Sequence, residues 1–81
     1  MPKSLQAQRY RQLPALLRSM RESAGLTQRE LARKLAMSHT LVHNSETAER
    51  RVDVAEFTDW ATACGVEPAD AFAAFLQIRK A

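Results

Sequence analysis

The chain has 81 residues, 46% hydrophobic and 26% charged, with two glycines and three prolines, the composition of one ordinary globular domain. No apolar run approaches the ~20 residues of a membrane span, Met1-Pro2-Lys3-Ser4-Leu5-Gln6 has no apolar secretory core, and the single Cys64 has no internal disulfide partner, so a cytoplasmic location away from any membrane is expected. The net charge of +3 is unevenly placed: through Arg51 ten Lys/Arg stand against four Asp/Glu, and from Val52 onward two stand against five, a basic front that suits phosphate unless solvated helix surfaces merely differ by chance.

Taken in chain order, residues 1–13 read as a basic, partly flexible arm carrying Lys3, Arg9 and Arg11, with Tyr10 as an anchor, or alternatively as a short upstream helix. The domain proper is expected over 14–81. Its first helix runs from Pro14, a first-turn proline, to Ala24, with Leu13, Leu16, Leu17, Met20 and Ala24 on one face and Gly25 as the stop. Thr27 with Glu30 three residues later is a capping box that opens a second helix over Gln28–Leu35, with Leu31, Ala32 and Leu35 inward. After a turn at Ala36-Met37, Ser38 caps a third helix over His39–Glu46, with Val42 turned inward. A loop through Thr47-Ala48-Glu49-Arg50-Arg51 leads to a second capping box, Asp53 with Glu56, and a fourth helix that places Val54, Phe57, Ala61 and Cys64 on one face, with Trp60 flanking it and Gly65 ending it. A fifth helix begins near Pro68, carries Phe72, Phe75, Leu76 and Ile78, and ends on the basic Arg79-Lys80, which suits the helix dipole. The expected fold is all-α, a compact five-helix domain.

The second and third helices lie about three residues apart, the spacing of a helix-turn-helix whose second helix fits the DNA major groove. His39, Thr40, His43 and Asn44 fall on the outer side of that helix, hydrogen-bonding types where base edges are read. Asn44 suits bidentate pairing with adenine, His39 or His43 donation to guanine acceptors or phosphate, and Thr40 a thymine methyl. Arg29, Arg33, Lys34, Arg50 and Arg51 suit phosphate rather than bases, and Ser38 at the helix head joins them. His39 and His43 have metal-ligand spacing without an evident third ligand, and Cys64 on an apolar helix face reads as core filler. Neither a metal, a cofactor nor an enzymatic activity is expected, since no nucleophile, base and orienting acid occur in a recognisable order.

Over roughly Leu16–Val66 these residues resemble the Cro and phage-repressor type of helix-turn-helix, the Xre family. The matching positions are Leu17, Arg21, Gly25-Leu26-Thr27-Gln28, Glu30-Leu31-Ala32, Leu35, Met37-Ser38, Val42, Glu46, Arg50 and Ala63-Cys64-Gly65-Val66. The resemblance implies a five-helix DNA-binding domain, dimeric on a palindromic operator, that regulates transcription as a small repressor. It also implies that Gln28 holds a phosphate and steadies the recognition helix. The alternative function is a protein-interaction module, such as an antitoxin or adaptor, with weak DNA binding. Phe72, Phe75, Leu76 and Ile78 exceed what one helix stripe needs and are candidates for a homodimer contact, the plain alternative being that the small core uses them all.

Departures from the family pattern have physical consequences. Ala36 and Ala48 stand where glycine is usual, and at φ > 0 alanine costs about 1 kcal/mol relative to glycine. Asn44 stands where Lys or Arg is common, removing a charge from the groove-facing side. Ser45 stands where a branched apolar side chain usually seats the helix against Leu31, Val42 and Phe57. On that reading Ser45→Val should stabilise the fold by on the order of 1 kcal/mol.

Overall fold

The computed structural model describes the backbone of residues 2–78 and the side chains of residues 12–77. Five α-helices follow one another in that span: α1 (Pro2–Ser23), α2 (Gln28–Leu35), α3 (His39–Glu46), α4 (Val54–Ala63) and α5 (Pro68–Ile78), with no strand among the described residues. The all-α, five-helix expectation is met, and α2 and α3 have the expected bounds.

The first helix is longer than expected, beginning at Pro2 rather than Pro14. The residues between the two prolines are mostly Lys, Leu, Gln, Ala and Arg, which lose little side-chain freedom in a helix. Pro14 therefore lies inside α1, where it removes the amide that would bond the carbonyl of Tyr10 while burying its own ring. The side chains of Lys3, Arg9, Tyr10, Arg11 and Ile78, and the Arg79-Lys80 end, lie outside the described residues.

Leu13, Leu17 and Met20 of α1 face Leu31 and Ala32 of α2, Val42 of α3, Phe57, Trp60, Ala61 and Cys64 of α4 and Ala71 of α5 in one core. Trp60, expected only to flank the stripe of α4, is 1% exposed and donates its indole N–H to the Leu17 carbonyl at 3.0 Å. That bond satisfies the one polar atom of the ring, which lets the largest side chain in the chain sit at the centre. Val54 is the converse correction: expected inward, it is 79% exposed. It continues the stripe of Phe57 and Ala61 by one turn, at the rim of a cleft with Leu13, Val52, Phe57, Phe72 and Phe75. Ala24 is exposed too, because α1 ends before it. Burial pushes the Cys64 thiol above its ordinary pKa, as expected of a core cysteine.

Both capping boxes form. Thr27 Oγ1 accepts from the Glu30 amide at 3.0 Å while Glu30 Oε1 accepts from the Thr27 amide at 2.8 Å, and these bonds hold the Glu30 carboxyl below the usual carboxylate range. Asp53 and Glu56 repeat the exchange at the head of α4, and Ser38 Oγ accepts from the Leu41 amide at 3.2 Å at the head of α3.

The helix ends share one device. At Gly25 and Ala36 the next amide bonds back to the carbonyl five residues earlier, Leu26 to Arg21 and Met37 to Ala32, a closure that puts the residue between in the left-handed region. Gly25 has φ +73° at no steric cost, whereas Ala36 takes φ 54° and Ala48, after α3, takes φ 65°. The turns are not reshaped to suit alanine. Ala36→Gly and Ala48→Gly are each expected to raise stability by about 1 kcal/mol, read as a higher urea midpoint with unchanged slope.

Candidate nucleic-acid interface

The seat of α3 is polar as well as apolar. Arg21 of α1 is buried and grips Glu46, the last residue of α3, through Nε–Oε2 at 2.6 Å and Nη2–Oε1 at 3.0 Å, while its Nη1 donates to the Leu26 carbonyl at 2.8 Å. The hydrogen bond to Glu46 holds the guanidinium above its ordinary pKa, against the opposing effect of burial. Glu46 Oε1 also accepts from Gln28 Nε2 at 3.0 Å, and Gln28 Oε1 lies 2.9 Å from His39 Nε2. A single chain of polar contacts thus runs from α1 through the end of α3 and the head of α2 to the head of α3. It fixes both ends of α3 at once, and no side-chain polar atom among the described residues is buried without a partner.

With its ends held, α3 turns Val42, Ser45 and Glu46 inward and leaves Thr40 and His43 exposed and His39 and Asn44 half-exposed. The structure therefore brings the four expected base-reading residues onto one outward face, with the rings of His39 and His43 6.4 Å apart. Gln28 stands beside that face at the head of α2, its amide joined to both Glu46 and His39. Ser38 is exposed at the head of α3, with its hydroxyl on the Leu41 amide. Arg29 and Arg33 are exposed on α2 and Arg51 is exposed after α3.

Two of the expected phosphate contacts are set differently from the rest. Lys34 borders a groove between α2 and α4 with Leu35, Asp59, Thr62 and Ala63, rather than standing beside α3. Arg50 is half-buried, its Nη2 against Glu56 Oε2 at 2.5 Å and its Nη1 donating to Ser45 Oγ at 3.2 Å.

Ser45 overturns the expectation attached to it. The side chain is fully buried, and its hydroxyl donates to the Leu41 carbonyl at 2.8 Å while accepting from Arg50. It links α3 to the loop that follows and, through Glu56, to the head of α4. Ser45→Val is accordingly expected to destabilise, by about 1–3 kcal/mol, because it adds volume to a fully buried site and removes the hydroxyl that accepts from Arg50 Nη1. A lower thermal midpoint than wild type checks this.

In the sequence Arg21 and Glu46 stand out only as family positions, and Gln28 as a phosphate holder that steadies the recognition helix, with nothing to pair the three. The pairing joins residues 25 and 18 positions apart, and the sole cue in the sequence is a charged residue on the apolar face of each of two predicted helices. No three His, Cys, Asp or Glu side chains meet as a metal site among the described residues, and no described helix is long and apolar enough to cross a membrane.

Comparison with known proteins agrees with this geometry. A helix-turn-helix domain family matches residues 12–75. A solved structure described as an XRE-family like protein from Pseudomonas syringae pv. tomato str. DC3000 superimposes with a TM-score of 0.86 at 36% identity, covering 95% of this chain and 94% of that one. The chain belongs to the XRE-like helix-turn-helix family. No functionally curated protein matches it significantly. As an XRE-like helix-turn-helix domain the chain is a DNA-binding regulator in general type, with α2 and α3 as its helix-turn-helix.

Proposed function

We propose that the chain is a sequence-specific repressor that binds an inverted-repeat operator in double-stranded DNA as a homodimer, with α3 of each copy in the major groove. The outward face of α3 carries this reading: Thr40, His43, Asn44 and His39 present hydrogen-bonding groups together, on a helix whose two ends are tied down. Arg29 and Arg33 on α2, with Gln28, Ser38 and Arg51, form the phosphate-holding surround. Dimerisation is supported by an apolar surface larger than α5 alone, since Phe72 is 52% exposed and adjoins exposed Val54 across the cleft lined by Val52 and Phe75. Leu76, one turn after Phe72 on α5, is exposed as well.

Affinity for a selected duplex should fall steeply with salt as condensed counterions are released, which a surface directed only at proteins would not show. Asn44→Ala or Thr40→Ala should relax preference at one or two base pairs by about 1–3 kcal/mol each, whereas Arg29→Ala or Arg33→Ala should weaken all duplexes alike. Binding of each variant to the selected and a scrambled duplex at two salt concentrations separates the two kinds of residue. If the dimer forms, Phe72→Glu should shift sedimentation toward monomer, and selected sites should show inverted half-sites about 34 Å apart. One wild-type monomer on an asymmetric site would refute the dimeric reading.

A further inference from the structure

The two ring nitrogens of His39, at the head of the recognition helix, have unlike settings. The Glu46 carboxylate is paired with Arg21 through two hydrogen bonds, and an ionised carboxylate only accepts. Gln28 bonds that carboxylate through its amide nitrogen at 3.0 Å, so its carbonyl oxygen points the other way. What meets this oxygen is His39 Nε2 at 2.9 Å. Two acceptors do not bond, so Nε2 carries the hydrogen and, in the neutral ring, Nδ1 is left as an acceptor. Among the described residues Nδ1 has no hydrogen-bond partner and, because no side-chain polar atom among them is buried without one, it reaches solvent on the half-exposed ring.

We infer that His39 reads DNA through Nδ1, as an acceptor when neutral and as a donor when protonated, so that one side chain selects different base edges according to pH. In the major groove an acceptor matches the exocyclic amine of adenine or cytosine, and a donor matches O6 or N7 of guanine, N7 of adenine or O4 of thymine, so that cytosine is matched only by the neutral ring and guanine or thymine only by the protonated one. The inference rests on α3 entering the major groove as proposed above. It also revises the donor role expected for His39 from sequence, which then holds only for the protonated ring.

Among the described residues the charged and titratable groups around His39 are few. His43 faces it on α3, the Arg21–Glu46 pair reaches it through Gln28 from α1 and the end of α3, and Arg29 adjoins Gln28 in the first turn of α2. Protonation leaves the Nε2–H bond to Gln28 intact. Only Nδ1 changes polarity, and no helix has to move.

Nitrogen-15 NMR of the DNA-free protein at about pH 8, where imidazoles are ordinarily neutral, should show His39 as the Nε2–H tautomer. A dominant Nδ1–H tautomer overturns the inference without reference to DNA. Selection of bound sites from random duplexes at about pH 8 and about pH 5.5 should raise guanine or thymine relative to cytosine at one position at the lower pH, by about fivefold or more, in wild type and not in His39→Gln. An unchanged ratio of guanine and thymine to cytosine at that position, or a change that survives in His39→Gln, overturns the inference while leaving DNA binding intact. No DNA selected at either pH overturns the DNA-binding reading, and the inference with it.

Discussion

Glu46→Ala is expected to lower stability by about 3–5 kcal/mol, because it leaves the largely buried Arg21 guanidinium with only the exposed Glu22 carboxylate, 4.0 Å away, as a counter-charge. For a domain of this size that is a fall in the thermal midpoint on the order of 20 °C. It also removes the acceptor that holds the Gln28 amide, so α3 loses its tie to the head of α2 as well as its tie to α1. A double replacement, Arg21→Met with Glu46→Leu, separates the two effects. Apolar side chains of similar volume can match a buried ion pair in stability, so the double variant should unfold well above the single one. It should still bind its selected duplex more weakly and with less base discrimination than wild type, because Gln28 and His39 no longer have a fixed partner. Calorimetry and duplex binding on the three proteins check both parts; full recovery of binding in the double variant would show that the ion pair serves folding alone.

Trp60→Ala should cost about 3–5 kcal/mol, the range for removing a large aromatic side chain from a core that cannot collapse around the gap. Trp60 is almost entirely enclosed and joins α4 to α1 by its bond to the Leu17 carbonyl. Trp60→Phe keeps much of the ring volume but abandons that bond, and a smaller loss of about 1–3 kcal/mol is expected. Because Trp60 is the only tryptophan, its replacement removes the native fluorescence signal, and urea unfolding followed by far-ultraviolet circular dichroism is the appropriate measurement. Parity of the alanine variant with wild type would mean that the core has another centre.

Much of the architecture was legible because its signals are local. Thr27 with Glu30, Ser38, and Asp53 with Glu56 each satisfy orphan amides within one turn, so a three-residue spacing is enough to predict where α2, α3 and α4 begin. The left-handed closures at Gly25 and Gly65, and the strained ones at Ala36 and Ala48, are likewise decided within five or six residues of chain. The start of α1 departs from the expected Pro14 for the same reason in reverse. Pro14 is a strong local signal for a helix start, yet a run of good helix formers upstream outweighs one lost hydrogen bond.

The sequence by itself determined the helix order, the caps and which residues of α3 face outward, since each follows from spacing along one stretch of backbone. Tertiary structure alone decided what those residues are tied to. Arg21, Glu46, Gln28 and His39 are separated by 25, 18 and 11 positions in successive pairs, and periodicity places each on a face without saying which atom of another helix it will meet. The same holds for Ser45, whose hydroxyl would be a weakness against a purely apolar seat but is matched to Arg50 from the following loop. It holds for Val54, apolar and in register with the core, yet left exposed at the rim of the cleft it shares with Phe57 and Phe72. Hydrogen-bond polarity and burial are properties of pairs of elements, and a pattern read along one element does not contain them.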